Sequence, residues 1–182
     1  MKRFFFRFGL LVVCVVFICG TFHAGAHLFC WANERQEAEY ALPIIMYHHI
    51  LKEKSKQGKF VISPEEFEAD LSYLKNNGYT AITAEDLIRY HEDGNPLPDK
   101  PVMLTFDDGY LSYLEYAVPL LEQYDMKAVV SIVGSYTDTY TNTEDRCVSY
   151  AHLNWDDVSK LSSSDHTGIQ NHTYDMRKVS GG

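Results

Sequence analysis

At 182 residues, with 46% of positions hydrophobic and 23% charged, the chain is long enough for one domain with a real core, and wholesale disorder is excluded. Acidic residues outnumber basic ones 25 to 16, a net charge of −9. Lys2, Arg3 and Arg7 sit at the amino terminus, so the body carries 25 acids against 13 bases, which argues against non-specific nucleic-acid binding.

Residues 1–31 read as a signal peptide or a membrane anchor helix. Met1-Lys2-Arg3 and Arg7 form a basic start, residues 8–22 are apolar and uncharged, and Ala24-Gly25-Ala26 places small residues at a cleavage position. No charge follows until Glu34, so an uncleaved anchor fits equally well. Either reading puts the body outside the membrane, and an extracellular or membrane-anchored location facing outward is expected. Cys14, Cys19 and Cys30 fall in this leader, leaving Cys147 alone in the body; a disulfide framework and a Cys-rich zinc site are both excluded there.

Residues 32–41 are a polar linker, and the domain begins at residue 42. Residues 42–47 form an apolar strand that ends in His48-His49. A charged loop over 52–59 follows. Ser63-Pro64-Glu65-Glu66 then starts a helix as a capping box with proline in its first position, and Phe67, Leu71 and Leu74 give it one apolar stripe. Residues 79–82 make a short strand, and Thr83 with Asp86 caps a helix that Gly94 ends. Residues 95–101 hold three prolines and are loop.

Residues 102–106 read as a buried strand running into Asp107-Asp108-Gly109. Helix is expected over 117–124, strand over 127–133, and a long polar surface loop over 134–150. Asn154 with Asp157 caps a short helix, and residues 168–171 form a last strand leading into His172. Alternating strands and helices predict an α/β fold with a mostly parallel sheet, in which a barrel is favoured over an open sheet.

Asp107, Asp108 and His172 are the chemistry-bearing residues of this frame. Parallel strands share one carboxyl edge, so residues some 65 positions apart can converge there. Neighbouring residues of an extended strand face opposite ways, which assigns the two acids different jobs. Asp with His suits zinc or another first-row divalent cation, and a second carboxylate can act as base toward water. The simpler alternative is an Asp-Asp-Gly turn whose acids only cap a loop, beside an unrelated structural histidine.

The run TFDDGY (105–110) resembles the first motif of the polysaccharide deacetylases, the NodB-like carbohydrate esterase family 4, and IQNHTYDM (169–176) resembles its second, metal-binding motif. PIIMYHHI near residue 45 and MKAVVSIVGSY (126–136) are similar to the exported bacterial members. The resemblance covers residues 42 to about 176. It implies a partial, distorted (β/α) barrel and hydrolysis of N-acetyl groups on an amino-sugar polysaccharide: peptidoglycan, poly-N-acetylglucosamine or a chitin-like polymer. Asp107 would be the catalytic base toward a metal-activated water. Asp108 and His172 would ligate the divalent metal, zinc first, with cobalt or nickel as substitutes. Tyr110 and Thr173 would contribute oxyanion or bracing contacts, and His48 and His49 would either line the same mouth or form an exposed turn pair.

Met176 and Arg177 stand where the family supplies a second histidine ligand, and neither is a good ligand for such an ion. The family's later motifs have no counterpart, so the chain is expected to be the first half to two thirds of a deacetylase domain. The competing readings are an inert or carbohydrate-binding remnant and, further off, metal-dependent phosphoryl transfer. The expected partners are the polysaccharide and, through the leader, a membrane.

Overall fold

The computed structural model describes residues 41–175. The leader, the linker up to residue 40, Cys14, Cys19, Cys30, Met176 and Arg177 lie outside the described residues. The fold is built on β5 (Pro101–Asp108), whose first four residues are buried. The parallel strand β1 (Ile44–Tyr47) pairs with it, Tyr47 opposite Phe106. Parallel β6 (Ala128–Val133) also pairs with it, Asp107 opposite Ser131 and Asp108 opposite Ile132. Beyond β6 lies parallel β7 (Thr167–Thr173), and the short β4 (Thr80–Ala81) pairs with the start of β5. Two further strands, β2 (His49–Ile50) and β3 (Val61–Ile62), form a separate parallel pair. Every pairing between strands of the main sheet is parallel, as strand–helix alternation requires.

Helices α1 (Pro64–Asn76), α2 (Ala84–Asp93) and α5 (Trp155–Leu161) each start on a capping box: Ser63 with Glu66, Thr83 with Asp86, and Asn154 with Asp157. The stripe Phe67, Leu71 and Leu74 of α1 is buried against one face of the sheet. Phe67 meets Tyr47 and Phe106 edge-on at 5.2 and 5.3 Å, and Tyr113 meets Phe106 at 4.9 Å. The buried hydroxyl of Tyr113 is 2.8 Å from Thr167 Oγ1, tying the chain after β5 to the start of β7. A smaller cluster of Ile82, Leu97, Met103 and Val129 packs separately. On β1, Ile44 and Met46 alternate with Tyr47 and are 60% and 57% exposed. Among the described residues no helix is long and apolar enough to cross a membrane.

Three elements depart from expectation. Residues 134–150 are not all loop: Gly134–Thr141 form a helix, α4. Its Thr-rich sequence is a poor helix former, yet Thr139 and Thr141 donate their hydroxyls to the carbonyls of Ser135 and Thr137, and Thr137 is buried. Tertiary packing overrides propensity there. A π-turn over Tyr113–Ala117 precedes α3 (Val118–Tyr124), so the helical segment starts earlier than the pattern indicated. The strand ends also run further, with β5 including both aspartates and β7 including His172.

Candidate active site

Asp107 and Asp108 are the last two residues of β5, and their carboxylates do not point apart. Asp108 adopts φ +72°, a left-handed conformation rare outside glycine, and Gly109 follows at φ +66°. This breaks the alternation of an extended strand and corrects the expectation that the two acids face opposite ways. A side chain at 109 would also meet Ile132, whose Cγ2 and Cα lie 3.1 and 3.2 Å from an added Cβ, so glycine is required twice over.

His172 reaches the same spot through a second irregularity. Ile132 pairs with Asn171 and Val133 with Thr173, so a bulge in β7 leaves His172 as the extra residue between them. Such a bulge re-aims one side chain. The result is His172 Nε2 at 3.7 Å from Asp107 Oδ2 and 3.9 Å from Asp108 Oδ1. The Asp108 side chain is 2% exposed, whereas Asp107 and His172 remain open to solvent at 21% and 31%. The predicted trio therefore converges at the carboxyl edge of the sheet.

These separations are too long for hydrogen bonds. They suit donors sharing one ion, since two ligands each about 2.1 Å from a zinc stand roughly 3–4 Å apart. Among the described residues no group of three or more His, Cys, Asp or Glu side chains could hold a metal ion. Asp108 and His172 thus offer two ligands of fitting chemistry, one fewer than the three protein ligands usual in a catalytic zinc site.

Of the remaining predicted positions, Tyr110 forms an isolated antiparallel bridge with His152 and is stacked between two imidazoles, His49 at 4.2 Å and His152 at 4.5 Å. His49 is buried, not an exposed turn residue. Burial holds its pKa below the ordinary histidine value, against the raising effect of its bond to the Ser149 carbonyl. His48 packs on Phe60 at 5.0 Å, and both histidines line a cavity of about 240 Å³ with Met46, Lys59 and Phe60. Thr173 pairs with Val133 beside the bulge. Ser112 and His152 complete the surroundings, and no spacing in the sequence marks either. His166 lies elsewhere, bonded through Nδ1 to the Met126 carbonyl below β6.

The family model for polysaccharide deacetylase matches residues 94–181. The poly-β-1,6-N-acetyl-D-glucosamine N-deacetylase of Escherichia coli K12 is 26% identical over 180 residues, covering 92% of this chain and 27% of its own length. The solved de-N-acetylase of Aggregatibacter actinomycetemcomitans superposes with a TM-score of 0.63 at 27% identity, over 72% of this chain and 54% of that one. A Streptococcus pyogenes deacetylase solved with acetate gives 0.61 at 26% identity, over 74% and 57%. The chain therefore spans about a quarter of the E. coli protein and little more than half of the two solved ones. Both irregular strand ends, at Asp108 and at His172, fall inside the matched residues, and it is over this part that the chain is similar to the polysaccharide deacetylases.

Proposed function

We propose that this chain carries the base and two metal ligands of an exported polysaccharide N-deacetylase acting on a poly-N-acetylglucosamine-type polymer. The observation that carries the reading is the approach of Asp107, Asp108 and His172 within 3.9 Å on one sheet edge. Relatives named as poly-β-1,6-N-acetyl-D-glucosamine N-deacetylases support the substrate class ahead of peptidoglycan or chitin-like polymers. Export rests on the leader pattern of residues 1–31.

In this mechanism Asp107, the more exposed carboxylate, accepts the proton of the attacking water. Asp108, buried and held by the turn, stays beside His172 and keeps its position as charge develops. A divalent cation held by Asp108 and His172 would make the water acidic and polarise the acetamido carbonyl. A backbone N–H near Tyr110 would stabilise the oxyanion, and the leaving amine takes the proton that Asp107 collected. The exposed Ile44 and Met46 support reading the sheet as part of a (β/α) barrel, because they stand where such a barrel would have its interior face.

The test is acetate release from β-1,6-linked N-acetylglucosamine oligomers with added zinc or cobalt. Turnover that Asp107→Asn abolishes is expected; no acetate from these oligomers, or activity indifferent to Asp107→Asn, sinks the reading. The two-ligand count favours one alternative, a carbohydrate-binding remnant, which predicts oligomer binding without turnover.

A further inference from the structure

We propose that His49 is a positioning residue that clasps the Asp107-Asp108-Gly109 turn to the segment around His152. Its kinetic and cobalt arms rest on the deacetylase reading; its exchange arm does not.

Hydrogen bonding fixes the state of the imidazole. Nε2 lies 3.2 Å from the Ser149 carbonyl, which only accepts, so Nε2 carries the proton. Nδ1 is then the acceptor for the Ser112 hydroxyl at 2.7 Å, and the same hydroxyl oxygen accepts the Ile50 N–H at 3.2 Å. One neutral ring thereby joins three stretches: the β1–β2 junction, the chain just past the turn, and the 147–153 loop.

The ring face does a second job. Tyr110, one residue past Gly109, is stacked on His49 with the planes 11° apart and on His152 with the planes 28° apart. Tyr136 and Tyr140 pack around His152 at 4.6 and 5.5 Å. Backbone bonds close the arrangement, with Leu111 N–H donating to Ala151 and Leu153 N–H donating to Gly109, both at 2.8 Å. The left-handed backbone at Asp108 persists only where surroundings over-determine it. This clasp is what surrounds it.

A merely structural histidine would, when replaced, loosen the whole domain. A clasp loosens the turn alone. The experiment uses the full chain with His49→Phe, which keeps a ring against Tyr110 but loses both hydrogen bonds, and Ser112→Ala, a smaller change should the first fail to fold. His49→Asn retains an acceptor for the Ser112 hydroxyl and is the conservative rescue. Amide exchange is followed at Leu111 and Leu153 against Val130 in β6, with cobalt(II) titration and, where the wild type turns over, kcat and KM.

The expected result is exchange about tenfold faster at Leu111 and Leu153 with Val130 unchanged. Cobalt affinity falls several-fold, and kcat drops about tenfold or more at nearly constant KM; His49→Asn recovers part of each. Exchange that is unchanged, or that rises uniformly through the sheet, overturns the proposal. A wild type that neither binds cobalt nor releases acetate removes the deacetylase reading but leaves the exchange arm to decide the clasp.

Discussion

Asp108 Oδ1 and His172 Nε2 lie 3.9 Å apart although their strands are not neighbours, since β6 runs between β5 and β7. A regular pair of strand ends two places apart would be separated by about 10 Å. The gap closes because Asp108 leaves the extended conformation and because His172 is the extra residue of a bulge.

The two acids are expected to separate by role. Asp107→Asn should reduce acetate release by about 10²–10⁴-fold while leaving cobalt affinity within a small factor. Asp108→Asn should weaken cobalt binding by about tenfold or more, and a chelator should mimic it reversibly. Calorimetric titration beside the acetate assay reads both, and equal effects of the two variants on metal affinity would contradict the assignment.

The turn should show a conflict between stability and function. Gly109→Ala sets a side chain against the Ile132 backbone at positive φ and should cost about 1–3 kcal/mol. Asp108→Gly removes a strained residue and a buried carboxylate, and should raise stability by up to about 1 kcal/mol while abolishing metal binding. Urea unfolding midpoints check the pair, and a destabilised Asp108→Gly would contradict the strain.

Acid stability should depend on Asp86. Partial burial works to raise its pKa, but the backbone N–H and hydroxyl of Thr83, Arg89 and Lys127 outweigh this and hold it at about 2, below the ordinary 3.8. A carboxyl depressed in the folded state stabilises above its unfolded value and loses that contribution as pH falls from about 4 towards 2. Allowing for solvent screening, the loss should be about 1–2 kcal/mol. Asp86→Asn should flatten that part of the pH profile of the urea midpoint.

Arg146 grips Asp157 through two hydrogen bonds of 2.6 and 3.1 Å, and Asp157 is buried at the start of α5. Arg146→Met should leave that carboxylate short of its partner and cost about 2 kcal/mol, lowering Tm by about 4–8 °C. Calorimetry reads this directly. The Asn154 cap persists, so α5 should loosen without unfolding.

Much of the frame is local physics and can be read from residues in order. Ser63, Thr83 and Asn154 announce their helices because a capping box needs only residues three apart. The apolar run after Pro101 announces the central strand, and TFDDGY with IQNHTYDM points to the family and to the residues that meet. The helix over Gly134–Thr141 is illegible in the sequence because Tyr136 and Tyr140 pack on His152, and Asp138 and Thr141 accept from Trp155, contacts made 12 to 17 residues away.

The sequence alone determined most of the elements, the residue types offered for chemistry and the family they resemble, all consequences of near neighbours and short motifs. Only the tertiary structure decided that Asp108 turns left-handed, that His172 sits on a bulge, and that His49 joins three segments. Each of these depends on the register between strands and loops that lie tens of residues apart. A change of one residue in that register would send the same side chains to opposite faces of the sheet.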